Sequence, residues 1–321
     1  MARVLAGLLF LSIAAAASAQ QYPSRNILML VPYAAGGPTD TVARVIAQSM
    51  SKPLGETVVV ENRPSAGGIL APEAAKNAKP DGYTILIHHV GMATTPALYR
   101  RLRFNPLADF DYIGLINDVP MTLIAKPGFP ANNFGEFLAY IKANKDKVNY
   151  ANAGIGAASH LCGMLFMSAI QTDFQAIPYK GTGPAMNDLL GGQVDFMCDQ
   201  TTNTTAQIKS GKVKVYGVTS LKRVPSLPEV PTLDEQGLKG FEVGIWHGLY
   251  APKGLPKPAL DKLVSALQES VKDETVIKRF ADLGATTYPA DKATPEALQA
   301  HLKAEIDKWG PLIDKAGVYA D

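Results

Sequence analysis

The stretch Ile27-Leu-Met-Leu-Val-Pro-Tyr-Ala-Ala-Gly-Gly-Pro-Thr-Asp-Thr-Val-Ala-Arg-Val-Ile-Ala-Gln48 decides how the chain is read. Residues 27–31 are a short apolar run, the signature of a buried strand. Tyr33 to Gly37 is a turn of small residues. Pro38 suits the first position of a helix, with Thr39 and Asp40 in its opening turn. Val42, Ile46 and Met50 then recur four apart, which lays an apolar stripe along one helical face. A strand that passes through a Gly-rich turn into a helix start offers free backbone N–H groups at a positive dipole end, a place suited to an anion. No Gly-Lys-Ser/Thr follows, and the turn is not G-x-G-x-x-G, so neither nucleotide-binding motif fits. Asp40 adds a negative charge beside the cradle. That disfavours phosphate and favours a carboxylate held through water, or a ligand bringing its own donors. A plain tight turn between strand and helix is the alternative.

Upstream of that stretch, Met1-Ala-Arg3 precedes an apolar run from Val4 to Ala17 that ends Ala17-Ser-Ala-Gln20. A basic start, a short apolar core and an A-x-A site read as a signal peptide over residues 1–19, cleaved after Ala19. The run is too short to span a bilayer. No cysteine stands at the cleavage site for a lipid anchor. The expected mature protein is exported, soluble and periplasmic.

The 321-residue chain exceeds one ordinary core, so two lobes are expected. Lys and Arg number 31 against 29 Asp and Glu. The one basic cluster, Arg100-Arg101-Leu-Arg103, has no interleaved aromatics, so nucleic acid is excluded as a partner. Downstream, strand-like runs alternate with helical ones: Gly55 to Asn62, a helix opened by Ser65-Ala-Gly-Gly-Ile69, and Tyr83 to Val90. This alternation predicts a mostly parallel sheet covered on both faces, with ligands beyond the carboxyl ends of its strands. Phe110 to Ile116 and Pro120 to Ala125 read as two strands leaving the first lobe. Val148 to Ala151, a Gly-rich turn and a helix capped by Ser159 repeat the opening device. Val194 to Cys198 is a further strand, with Asp199 at its carboxyl end. Glu242 to Tyr250 crosses back, and two amphipathic helices finish the chain. The expected division is residues 20–120 with 245–321 as a discontinuous lobe 1, and 121–244 as lobe 2.

Enzyme signatures are missing. There is no G-x-S-x-G, H-E-x-x-H or C-x-x-C. Adjacent His88 and His89 on a strand point to opposite faces and do not share a metal ion. Ser159 beside His160 invites a hydrolase reading, but neighbours at a helix start point about 100° apart. Cys162 and Cys198, the two cysteines, lie in one region, and an oxidising compartment permits a bridge between them. What remains is two Gly-rich helix starts, one per lobe, able to clamp a small carboxylic acid between them.

Six motifs in order then carry a resemblance: Pro32 to Asp40, Glu61 to Gly68, Pro80 to Thr84, Pro178 to Ala185, Asp188 to Asp195, and Pro228 to Thr232. Together they resemble the Bug/TctC family, the extracytoplasmic solute receptors of tripartite tricarboxylate transporters. The resemblance implies a type II periplasmic-binding-protein fold, α/β in class, with no cofactor, no metal and no catalytic role. It implies a monomer that captures a carboxylate ligand and delivers it to membrane permease subunits, or one that signals to a sensor kinase. Carried over, the first-lobe grip is Tyr33, Ala35, Gly37, Thr39 and Asp40. From the second lobe come Gly156, Ala157, Ser159 and His160, with Tyr179, Lys180 and Gly181 nearby. Asp199 lies at the cleft floor, either accepting a hydrogen bond from the ligand or capping the turn into Thr201. His89, Gly91 and the pair Trp246-His247 line the distal pocket, where Gly91 stands in place of an expected hydroxyl residue.

Overall fold

The structure, a computed structural model, describes residues 22–317, 319 and 320. The signal-peptide segment lies outside the described residues. Strands β1 (Ile27–Val31), β2 (Val58–Asn62) and β3 (Thr84–His89) pair in parallel, with β1 in the middle. The helix α1 (Pro38–Leu54) returns from β1 and buries Val42, Ile46 and Met50 against the sheet, as the spacing predicts. Helix α2 is Leu70–Lys76, and α3 is Gly91–Leu98. No helix was expected after His89, because Gly91-Met-Ala-Thr-Thr-Pro96 contains poor helix formers and a proline. Burial overrides that: Met92, Ala93, Thr94, Thr95 and Leu98 are all inside.

The two strands read from 110 to 125 are one, β4 (Phe110–Ala125), continuous through Pro120. Proline tolerates this place because pairing changes hands there. Its partner β9 (Gly244–Pro252) pairs with β4 from Phe110 to Pro120, and β7 (Phe196–Gln200) takes over from Met121. In the second lobe, β5 (Asn149–Asn152) runs parallel to β6 (Gln175–Pro178) and to β7, and β8 (Lys214–Val218) also pairs with β4. The strands of each lobe are therefore parallel away from the centre, while β4, β8 and β9 are antiparallel to their neighbours, a mixed rather than mostly parallel sheet. Helices α4 (Phe134–Ala143), α5 (Ala158–Ile170), α6 (Thr182–Leu190) and α7 (Thr201–Lys209) belong to this second half. The chain ends with three helices rather than two, α8 (Lys257–Lys272), α9 (Glu274–Asp282) and α10 (Pro295–Ala316), and a short strand β10 (Thr286–Thr287). Cys162 and Cys198 are bridged, with Cα atoms 6.1 Å apart, tying α5 to β7 inside the core. Among the described residues, no helix is long and apolar enough to cross a membrane.

Candidate functional site

The lobes meet at their Gly-rich loops, and backbone seals the cleft. Ala34 N–H donates to Lys180 O at 3.0 Å, and Gly67 N–H to Ala153 O at 3.0 Å. Tyr99 donates its hydroxyl to Ile155 O at 3.0 Å, and Thr94 to Gly156 O at 3.1 Å. Glycine is required here. A Cβ on Gly183 would stand 2.7 Å from Ala35 O, and one on Gly181 2.9 Å from Ala34 N. Behind these contacts lies a small cavity between the Gly-rich loops.

Four helices begin at its walls. Pro38 and Thr39 open α1, Ala158 and Ser159 open α5, Thr182 opens α6, and Gln200 precedes α7. Their N-cap residues are Gly37, Ala157, Gly181 and Gln200, and none places a side chain on the orphan N–H groups. Helices α4, α9 and α10, which start elsewhere, are capped by Asn133, Asp273 and Thr294. Helices α2, α3 and α8 also lack a side-chain cap, but none of their residues lines the cavity. Converging helix starts create a positive field without a cation. No lysine or arginine is among the described residues that line the cavity.

Asp199 is the carboxylate among those lining residues, 1% exposed. The Asn203 amide donates to its Oδ2 at 2.6 Å, while Oδ1 has no partner. Burial pushes its pKa up to about 6 against the pull of the Asn203 amide, the Gln200 backbone N–H and the Thr182 hydroxyl. The alternative role, a cap on the turn into α7, is met in part: its Oδ2 takes the Asn203 amide from within that turn, while the N-cap position of α7 itself is Gln200.

The remaining expected residues fall as follows. Tyr33, Thr39, His89, Ala157 and Ser159 line the cavity. Gly37 caps α1, and a Cβ there would sit 3.3 Å from Gly183 N, so it serves the closed contact between lobes. Ser159 does not cap α5. Its hydroxyl accepts the Ala153 N–H at 2.9 Å and so shapes the loop before the helix. His160 turns Nδ1 toward Gly156 N–H at 3.4 Å rather than toward Ser159, and burial lowers its pKa to about 4. Gly91 packs under the His88 ring, where a Cβ would lie 2.6 Å from Cε1. Ala35 and Lys180 are exposed, and Lys180 contributes its carbonyl to the seal. The Tyr179 hydroxyl donates to Asp188 at 2.7 Å and does not face the cavity.

Two further placements depart from expectation. Asp40 turns back from the cavity to Arg44, Gly36 N–H and Asn62, each at 3.0 Å. Burial raises its pKa, but those donors outweigh it and hold it below the ordinary carboxylate range. Its work is to fix the shape of the 33–37 loop. Trp246 faces the α10 layer, its indole N–H donating to Glu305 at 3.3 Å and its ring meeting His301. Strand alternation turns the next residue, His247, inward instead, 3.4 Å from the Thr39 hydroxyl. Neither Thr182 nor Gln200 was expected at the site. The signal was present in Gly181-Thr182, a helix start after a strand of the same kind as Gly37-Pro38.

This two-lobed α/β fold with a cleft sealed between Gly-rich loops is that of periplasmic binding proteins. The solved structure of the periplasmic binding protein BugD is 57% identical, with a TM-score of 0.91, covering 93% of this chain and 99% of its own. That of MatC from Rhodopseudomonas palustris with bound malate is 38% identical, with a TM-score of 0.87, covering 91% and 100%. A UPF0065 protein of Agrobacterium vitis is 49% identical over 92% of this chain and 86% of its own. The family model described as tripartite tricarboxylate transporter family receptor, TctC, matches residues 42–318. The chain belongs to the Bug/TctC family.

Proposed function

We propose that this protein is a periplasmic receptor that closes on a small carboxylic acid bearing a hydrogen-bond donor and hands it to the permease subunits of a tripartite tricarboxylate transporter. The observation that carries the reading is the ring of four uncapped helix starts around a cavity whose one carboxylate, Asp199, keeps a buried oxygen unpaired. The helix starts suit the ligand's carboxylate. Asp199 suits an ammonium, hydroxyl, amide or protonated acid on the same molecule, because an unpaired buried acceptor costs about 1–3 kcal/mol until something donates to it. Tyr33, Thr39, His89, Ala157 and Ser159 belong to the binding surface in this reading. Gly37, Gly156, Gly181 and the Lys180 carbonyl act by sealing it.

The lobes proposed are residues 20–120 with 245–321, and 121–244. The exchange of partners at Pro120 and Gly244 supports that boundary. Export follows from the signal peptide read over residues 1–19, and the Cys162–Cys198 bridge is in keeping with an oxidising compartment. A non-enzymatic role is supported by the partners of Ser159 and His160, which accept from the backbone N–H groups of Ala153 and Gly156. A thermal-shift screen over small acids, with turnover assays on their esters and amides, tests this. One acid or more raises the melting temperature without turnover. Turnover, or no shift from any acid, contradicts the proposal.

A further inference from the structure

Helix α1 buries Val42, Ile46 and Met50 against the sheet, and its other face forms one wall of an open groove of about 550 Å³. Arg44, Val45 and Lys52 stand on that wall, and Asp273, Val276 and Arg279 at the start and along the length of α9 stand on the other. Arg44, Lys52 and Arg279 are exposed cations. Asp273 is the carboxylate among the described lining residues, and it is already engaged. Its Oδ1 accepts the Thr275 N–H at 2.7 Å and the Val276 N–H at 3.3 Å as the cap of α9. The Lys52 and Arg279 side chains form no hydrogen bond or ion pair with a described residue. They act on Asp273 and Asp282 only through space. Positive charge is therefore in excess in a concave place, where low-dielectric walls focus its field outward.

Two features tie this groove to the ligand site. Arg44 belongs to both: its Nε and Nη2 hold the Asp40 carboxylate, each at 3.0 Å, and Asp40 in turn takes the Gly36 N–H of the 33–37 loop at 3.0 Å. Nη1 takes no part in these bonds, and the Arg44 side chain is 55% exposed, so the guanidinium has donors left for a second carboxylate. Helix α7, from the second half of the chain, packs on α1, and the charge of Lys209 at its end reaches Asp282 of α9. A body seated along α1 and α9 thus lies against elements of both lobes.

Resting on the receptor reading above, we propose that the groove between α1 and α9 is where the permease docks, and that it takes an acidic segment of the permease's periplasmic face, carboxylates set against Arg44, Lys52 and Arg279. A concave groove between two helices fits the side chains of a protein, whereas a bilayer presents a flat surface. Charges on the rim of such a contact act on the rate of association and make it sensitive to salt.

Receptor-dependent uptake tests this, with right-side-out membrane vesicles of the source bacterium, the best-binding acid in radiolabelled form and the receptor added outside. Arg44 is left in place because it also holds Asp40. Lys52→Glu with Arg279→Glu should bind the acid as wild type does in calorimetry, with an unchanged melting curve. Uptake should fall about tenfold or more, since like charges then face each other across the contact. Lys52→Arg with Arg279→Lys should keep uptake near the wild-type level. Wild-type uptake at low receptor concentration should fall as ionic strength rises from about 0.05 to about 0.3 M, and the residual uptake of the reversed protein should not. If the reversal disturbs folding, Lys52→Ala with Arg279→Ala takes its place, with a loss of a few-fold expected. Full uptake with the reversed or truncated protein overturns the proposal. So does binding to protein-free vesicles of phosphatidylcholine and phosphatidylglycerol that the reversal abolishes, which would give the groove to anionic lipid instead. A wild-type receptor that binds acids yet supports no uptake removes the docking role while ligand binding stands. Failure of every acid to shift the melting temperature ends the receptor reading itself.

Discussion

Replacing Asp199 by asparagine is expected to make the empty protein more stable and the loaded one weaker. An unfolded aspartate titrates near 3.9, whereas burial sets Asp199 at about 6 in the fold. Between those values the folded state holds a proton that the unfolded chain has released, so stability falls as pH rises through the window. The loss is about two pH units at about 1.4 kcal/mol each, about 3 kcal/mol in all, complete above pH 6 or so. Asparagine is nearly isosteric, keeps an oxygen for the Asn203 amide, and has no charge to desolvate. Its advantage over wild type should vanish below about pH 4 and reach about 3 kcal/mol near pH 7. Over roughly 300 residues that corresponds to a rise of about 4 °C in melting temperature. Affinity for a ligand that donates to Asp199 should meanwhile fall about tenfold to hundredfold, as a hydrogen bond to a charged group becomes one to a neutral amide. Melting curves of both proteins from pH 4 to 8, with titrations of the best ligand at pH 7, read out both effects. Parallel stability profiles for the two proteins would refute the burial argument, and unchanged affinity would remove Asp199 from the binding surface.

Further outcomes follow from the same geometry. Gly183→Ala should leave the empty protein's melting temperature within a few degrees but abolish most of the ligand-induced rise, since the new Cβ strikes Ala35 O at 2.7 Å only when the lobes meet. An undiminished rise would mean that closure is not needed for binding. Changing both Cys162 and Cys198 to alanine opens a loop set by a sequence separation of 36 and should cost about 4 kcal/mol of stability by the loop-entropy estimate. Two free thiols in unreduced wild-type protein would contradict the bridge. Asp40→Ala should weaken binding through disorder of the 33–37 loop and also lower stability, because Arg44, Gly36 and Asn62 lose their shared acceptor; lost affinity at unchanged stability would instead place Asp40 on the ligand.

Elements whose periodicity and burial agree were legible in the sequence. The run 27–31 and the stripe Val42, Ile46 and Met50 lie as expected because one apolar face meets one sheet. Helix α3 was hidden, since its threonines and Pro96 speak against a helix and only tertiary burial overrides them. Pro120 broke one strand into two on paper, because proline's cost depends on which partner faces it, and partners are not written in local sequence. At the site, the Gly-rich turns announced where backbone comes close, but not where side chains turn. Asp40 was placed in the grip by the family resemblance, whereas Arg44 one helical turn later claims it. Trp246 and His247 are adjacent, and their faces depend on strand register, which pairing with β4 and β3 decides. Thr182 and Gln200 reach the cavity only because four helices converge there, a relation between distant segments.

The central claim is that uncapped helix starts, not cationic side chains, hold the ligand's carboxylate. Four of them at about 0.5–1 kcal/mol each supply about 2–4 kcal/mol in favour of an anion. Calorimetric titration of the best-binding acid against the methyl ester of that same carboxyl measures this directly. The acid should bind about 30-fold to several hundredfold more tightly than the ester; equal affinities would contradict the account.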